Sequence, residues 1–296
     1  AAAKAGCTVA SAYPGTPSTE ILENVSKFKE TINCEWAPNE KVAMEVAIGA
    51  SIAGARSLTA MKHVGLNVAM DPLMTYTYVG ANGGMVIIVA DDPGMHSSQN
   101  EQDSRNLVKF ARAALFEPAD SQETFDMVQE AFAVSEQFHV PAFIRLNTRT
   151  SHTSTIVDVG DDFKPTQHPR KPYVKDIKTY IPVPMFARPQ RLAAQERTEA
   201  MRKYGCETAF NRMEMGDTRL GIITASVTYQ YVKEVFPEFS VLKLGFSNPL
   251  PTALIKDFAS KVEKVLVVEE LDPVMEEQIR AMGIACVEHQ TELNML

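Results

Sequence analysis

An α/β architecture built on parallel sheets is predicted by three features of this chain. Short apolar runs alternate with helix-like stretches through the first ~155 residues, the pattern of a parallel sheet covered by helices on both faces. The run Met85 to Ala90 is apolar without a break, as a strand buried on both sides must be. The alternation then lapses between about 160 and 218 and resumes at Leu220, which divides the chain into a larger and a smaller α/β unit.

Val9 to Ala12 reads as the first strand, and Tyr13-Pro14-Gly15-Thr16-Pro17 as a turn. Ser18 stands where a hydroxyl would cap a helix by accepting a bond from an orphan amide. Asn39 is placed to cap a second helix running to about Ala55. Along it Ala43, Ala47, Ala50 and Gly54 form a stripe of small side chains that lets another backbone come close. Ser57 to Met61 and Met85 to Ala90 read as strands, Ser121 to Gln137 as an amphipathic helix, and Ala142 to Leu146 as the strand after it. From about 160 to 218, Pro165, Pro169, Pro172, Pro182, Pro184 and Pro189 punctuate a Lys/Arg-rich stretch. Proline at that density disfavours internal strands and helices. The stretch reads as an extended linker, either wrapping the first unit or tethered in solvent, with a helix from Pro189 to Tyr204. Beyond it, strands at Leu220 to Ala225, Val241 to Gly245 and Val265 to Glu269 alternate with helices at Thr228 to Phe236, Thr252 to Lys261 and Pro273 to Met282. The expected division is 1–158, a linker over 159–219, and 220–296.

Composition narrows the function. A net charge of −8 argues against nucleic acid, whose phosphates need clustered Lys and Arg. No apolar run approaches the ~20 residues of a membrane span, and no basic-then-apolar leader is visible. Cys7, Cys34, Cys206 and Cys286 are too scattered for a disulfide scaffold, a zinc site or a cluster ligand run. A cytoplasmic chain without a metal site of its own is expected. There is no GxGxxG and no GxxxxGK[ST]. Gly49-Ala50-Ser51-Ile52-Ala53-Gly54 misses the nucleophile elbow, with Ser51 in mid-helix and Ala53 where glycine is required.

What remains is a set of polar residues around strand ends. Ligands of open α/β sheets bind at the carboxyl ends of strands, and Gly15 to Ser18, the segment around Glu40, Lys62-His63, Asn82 and Asp91 to Asn100 could gather there. Each has a second reading. An acid such as Glu40 in a first helical turn also favours the helix dipole by a few tenths to ~1 kcal/mol. His63 could be a buried histidine bonded to backbone, and Lys62 an exposed lysine; His96 lies in a stretch too polar for a core.

Four segments carry a resemblance. Ala12-Tyr13-Pro14-Gly15-Thr16-Pro17-Ser18, Asn39-Glu40-Lys41-Val42-Ala43, Lys62-His63-Val64-Gly65-Leu66-Asn67 and Asp91-Asp92-Pro93-Gly94-Met95-His96-Ser97-Ser98-Gln99-Asn100 resemble the α subunits of the indolepyruvate ferredoxin oxidoreductases. These belong to the thiamine-diphosphate-dependent 2-oxoacid:ferredoxin oxidoreductases, and the likeness extends over nearly the whole chain.

The resemblance implies a pyrimidine-binding domain for thiamine diphosphate, followed by a smaller domain of the transketolase C-terminal type. It implies oxidative decarboxylation of an aryl 2-oxoacid, with coenzyme A taking the acyl group and ferredoxin the electrons. Glu40 matches the glutamate that hydrogen-bonds the aminopyrimidine ring, where a carboxyl group is needed to shift the ring's tautomer. Thr16, Lys62 and Asn67 are implied to lie beside the cofactor, His63 and His96 to be catalytic, and Asn100 to be on the substrate side. The Gly-Asp-Gly…Asn motif that would hold Mg²⁺ and the diphosphate is missing, only Gly160-Asp161 and Gly216-Asp217 coming near it. That domain is therefore expected on another chain or past Leu296, with [4Fe-4S] clusters in a Cys-rich partner segment and a second subunit. Pyruvate-specific relatives place an arginine after the strand matching Met85 to Ala90. Here Asp91 and Asp92 stand there and would repel an anion, with Arg105 the nearest arginine downstream. Two alternatives stay open: a non-catalytic assembly subunit, and a subunit of a non-oxidative 2-oxoacid decarboxylase.

Overall fold

The computed structural model of the protein describes residues 1–161 and 163–287; residues 288–296 of the expected second unit lie outside that range. The larger sheet takes its parallel strands from β1 (Val9–Ala12), β2 (Asn33–Trp36), β3 (Ser57–Lys62), β4 (Met85–Asp91), β5 (Ala114–Phe116) and β6 (Ala142–Asn147). Helices α1 (Thr19–Val25), α2 (Glu40–Ile52), α3 (His63–Val79), α4 (Ser104–Ala111), α5 (Ser121–Phe138) and the single turn α6 (Thr148–His152) connect them. β3, β4 and β6 are buried along their whole length, and Ile87, Ile144, Phe143 and Phe132 meet in the core between sheet and helices.

Local chemistry sets most boundaries. Asn39 caps α2, its side chain accepting from the Val42 amide at 3.0 Å. Ser18 holds the position before α1 but does not cap it; its hydroxyl donates to the Gly15 carbonyl instead, at 2.7 Å, tightening the turn. α2 ends at Ile52 rather than Ala55, and Gly54 follows with φ +85°. A side chain at Gly54 would overlap the Lys171 carbonyl, so the backbone that comes close at this end of the small-residue stripe belongs to the proline-rich segment. Helix α3 was not legible, since Pro72 interrupts its pattern; it starts immediately where β3 stops.

The proline-rich segment lies along the amino ends of the strands. Thr166 donates to the Ala3 carbonyl, Lys171 to that of Gly54, and Lys4 to that of Val159. It carries one short turn, α7 (Ile177–Tyr180), and then α8 (Pro184–Glu207), which starts a turn and a half before the expected Pro189.

The second sheet combines β7 (Asn211–Glu214), β8 (Asp217–Ala225), β9 (Phe239–Leu244) and β11 (Val265–Val268) in the order β11-β8-β9-β7. α9 (Thr228–Val235), α10 (Thr252–Ala259) and α11 (Val274–Ala281) cover it. Only β7 is antiparallel there. Between β9 and α10 the chain returns to the first sheet as β10 (Phe246–Asn248), pairing antiparallel with β5. The seven-stranded sheet therefore reads β10-β5-β6-β4-β3-β1-β2, and one of its edges is supplied by the chain of the smaller unit. Among the described residues no helix is long and apolar enough to cross a membrane.

Candidate functional site

Because β1, β2, β3, β4 and β6 run parallel, the segments that follow them emerge at one edge. Those segments are the turn 13–18, the approach to Glu40, the start of α3, the loop 92–103 and α6. Asn82 is not among them. It precedes β4 at the opposite edge, where its amide donates to the carbonyls of Ile52 and Pro172.

Lys62 is the last residue of β3 and only 8% exposed. Its stem packs over Gly15, where an added Cβ would lie 3.3 Å from Cδ, and its ammonium donates to the Ser97 carbonyl at 3.1 Å. His63 opens α3 and is buried. Its Nε2 bonds the Asn100 carbonyl at 3.1 Å. A carbonyl can only accept, so in the neutral ring Nε2 carries the hydrogen and Nδ1 offers a lone pair. That Nδ1 is buried and has no partner among the described residues. Lys62 and His63 thus hold the 96–100 backbone with their side chains, while Ser97 Oγ reaches the Thr16 carbonyl at 3.5 Å.

Glu40 occupies the first turn of α2, half-buried, and its carboxylate has no hydrogen-bond or ion-pair partner among the described residues. It lies against the first turn of α3. A Cβ on Gly65 would come within 2.5 Å of Glu40 Oε1 and 2.7 Å of Cγ, so only glycine leaves room for the carboxylate there. Thr16, in a turn whose Thr16–Pro17 peptide is cis, is exposed beside these groups. It lines a cavity of about 240 Å³ with Pro17, Thr19, Glu20, Glu23 and His152. Asn67, His96 and Asn100 are exposed at the same edge.

The acids after β4 do not face this site as free anions, which revises the expected repulsion. Asp92 is the hub of its own loop: it accepts from the His96 and Ser97 amides and from the hydroxyls of Ser98 and Thr148. Burial alone would raise its carboxyl, but these bonds win and hold it below the ordinary carboxylate range. Asp91 is buried against Arg145 at 2.7 Å and accepts from Ser104 at 3.0 Å. Arg105 is likewise not free for a substrate. It is 3% exposed, and its guanidinium is taken up by Asp103, Glu269 and the carbonyls of Glu270 and Asp272. Arg145 also binds Glu117 at 2.8 Å, whose other oxygen accepts from Ser247. Both ends of the 92–103 loop are therefore anchored in a buried ionic network that ties the two sheets together.

Gly65, Asp92 and Thr148 went unread as site residues. Gly65 left a trace, a glycine three residues past a strand end in an otherwise good helix former. Asp92 left another, an Asp-Pro-Gly turn followed by paired serines, the composition of a side-chain-capped loop.

A family model described as pyruvate flavodoxin/ferredoxin oxidoreductase, thiamine diphosphate-binding, matches residues 1–214. The chain is 43% identical over 294 residues to the indolepyruvate oxidoreductase subunit IorA of Archaeoglobus fulgidus, covering 96% of this chain and 47% of that protein. It is 43% identical over 283 residues to IorA of Pyrococcus abyssi, covering 92% and 44%. The chain thus spans a little under half the length of these relatives. Among solved structures, a 2-oxoglutarate:ferredoxin oxidoreductase from Magnetococcus marinus superposes with TM-score 0.78 at 18% identity, over 97% of this chain and 59% of that one. A split-gene transketolase superposes with TM-score 0.59 at 14% identity, over 93% and 78%. These two show the fold, an α/β arrangement of the transketolase kind. On the extent of the family match and the identity to its relatives, the chain belongs to the thiamine diphosphate-binding family of the pyruvate flavodoxin/ferredoxin oxidoreductases.

Proposed function

We propose that this chain supplies the pyrimidine half of a thiamine diphosphate site in an enzyme that oxidatively decarboxylates an aryl 2-oxoacid such as indolepyruvate. The observation that carries the reading is Glu40, a carboxylate without a hydrogen-bond or ion-pair partner among the described residues, held against Gly65 at the edge where loops of a parallel sheet present ligand groups. The residues fit the group. A pyrimidine needs a carboxyl on its ring nitrogen and polar atoms around it, and the half-buried Glu40 and the exposed Thr16 and Asn67 are available for that. Bound thiamine diphosphate would supply the electron sink that decarboxylation of a 2-oxoacid requires.

In this reading Glu40 would hold the ring nitrogen, and Thr16, Lys62, Asn67 and Asn100 would line the edge at which the cofactor binds. His96 is carried on a loop that Asp92 makes rigid. Mg²⁺ and the diphosphate are assigned to a domain outside residues 1–296, the [4Fe-4S] clusters to a partner segment, and the acyl group and electrons to coenzyme A and ferredoxin. The names of the IorA relatives support the aryl substrate.

The test is Glu40→Gln in the full-length protein assembled with its partner subunits. Loss of a group acting in proton transfer costs roughly 10²–10⁴-fold in rate, so 2-oxoacid-dependent ferredoxin reduction should fall by that order while the assembly stays intact. Activity within a few-fold of the parent would refute the role of Glu40.

A further inference from the structure

We propose that Lys62 is the residue that receives the carboxylate of the 2-oxoacid substrate; the inference rests on the cofactor reading above and adds to it the anion-binding group of the same site. Lys62 is nearly buried, yet no carboxylate among the described residues lies within ion-pair distance, and its ammonium makes one hydrogen bond, to the Ser97 carbonyl. An ammonium has three donors and no acceptor. Two are left over on a side chain that is only 8% exposed. A buried charge without a counter-ion is costly, so the position calls for an anion supplied from outside the chain.

The other cations around this edge are spoken for. Arg145 is enclosed by Asp91 and Glu117, and Arg105 by Asp103 and Glu269. Lys41 pairs with Asp71 on the outer surface. Arg149 stacks over the Tyr231 ring at 5.5 Å. Lys62 is the buried member of this group with no acid at ion-pair distance among the described residues, and its neighbours locate it. Gly15 packs under its stem, Ser97 takes its head, and Gly65, three residues on, touches Glu40. An anion on Lys62 would thus sit between the Thr16 turn and the 92–103 loop, one helical turn from the carboxylate that holds the pyrimidine. The acids after β4 are no obstacle, since Asp91 is neutralised by Arg145 and Asp92 is turned into its loop.

The test uses the full-length protein assembled with its partners and compares Lys62→Met with the parent. Calorimetry measures binding of two unreactive isosteres, indole-3-acetate and indole-3-acetamide; thiamine diphosphate uptake is titrated separately by quenching of tryptophan fluorescence. A charge-assisted hydrogen bond lost from a nearly buried site should weaken the acetate by roughly 30-fold and leave the amide within about three-fold, with cofactor uptake at the parental level. Lys62→Arg should restore part of the preference for acetate. Equal weakening of acetate and amide would assign Lys62 to holding the loop and overturn the inference, as would an unchanged preference. Loss of cofactor uptake in Lys62→Met alone would give the lysine to the diphosphate and overturn it too. Failure of the parent assembly to take up thiamine diphosphate would instead bring down the cofactor reading, and this inference with it.

Discussion

Replacing Gly65 with alanine should raise stability slightly while damaging activity severely, two effects that a general loss of structure could not produce together. Gly65 lies in the first turn of α3 with an ordinary helical φ, so alanine is compatible with the backbone. A glycine-to-alanine change in a helix is worth about 0.5–1 kcal/mol in favour of alanine, less so close to the end. Against that stand the nearest atoms a side chain would meet: the new Cβ would lie 2.5 Å from Glu40 Oε1, 2.7 Å from Cγ and 2.9 Å from Cδ. Carbon and oxygen in contact want more than 3 Å, and all three atoms belong to a side chain with no hydrogen-bond or ion-pair partner among the described residues. The cheap response is for Glu40 to swing away by about 1 Å, leaving both helices in place.

A misplacement of about 1 Å in a reacting constellation costs on the order of 10²-fold. We expect that loss in 2-oxoacid-dependent ferredoxin reduction by the assembled enzyme, with an unfolding midpoint unchanged or up by a degree or two. Gly65→Ala with near-parental activity would refute the claim that this glycine sets the position of Glu40. A midpoint several degrees lower would show that α3, not the carboxylate, gave way.

Two further outcomes follow from the ionic groups. Arg145→Met leaves Asp91 and Glu117 buried without their guanidinium; breaking a buried pair from one side costs about 3–5 kcal/mol, a fall in midpoint of order 10 °C for a unit of this size. An unchanged melting curve would show that the network contributes nothing net. On the second sheet, Glu214 is held at about 2; burial would raise it, but Lys233, Tyr229 and Arg212 outweigh burial. Its folded value is below its unfolded one, so its contribution is complete above about pH 4.5 and disappears as pH falls toward 2. Glu214→Gln should therefore flatten the acid limb of the stability profile between those values, and a limb of unchanged slope would contradict the assignment.

The fold was legible wherever the alternation rested on burial alone. The strand of residues 85–90, helix α5 and, β10 apart, every described strand and helix from β8 onward fall within a few residues of where apolar periodicity put them. The misses share a cause, which is that partners distant in sequence decided them. β10 is three residues long and exists because the edge of β5 is open to it. β7 pairs with β9, about thirty residues on, and its Asn-Arg-Met-Glu sequence has no strand pattern of its own. In α3, Pro72 hides a helix whose buried face, through Leu66, Ala69, Leu73 and Tyr76, is regular once the proline is ignored. Ser18 failed as a cap because its own backbone is already helical, at φ −92° and ψ −14°, whereas a capping residue is extended.

The site shows a sharper limit of the same kind. Sequence placed Thr16, Glu40, Lys62 and His63 at one edge, since their positions relative to strand ends depend only on local order. Their charge environment was not readable, because it depends on where each side chain turns. Asp91 and Asp92 looked like a barrier to an anionic substrate, yet one is closed off by an arginine 54 residues away in the chain and the other by amides within six. Arg105 looked like the anion's receptor and is the bolt between two sheets. Lys62, by contrast, read either as an exposed lysine or as a neighbour of the cofactor, and is the buried cation left without an acid among the described residues. A count of charges near a motif therefore predicts little about the field inside it. The informative quantity is which shielded ionic groups the fold leaves unpaired; among the described residues at this edge, the half-buried Glu40 carboxylate and the nearly buried Lys62 ammonium are two such groups. One is suited to a ring nitrogen and the other to a carboxylate, the two polar ends that a thiamine-bound 2-oxoacid would present.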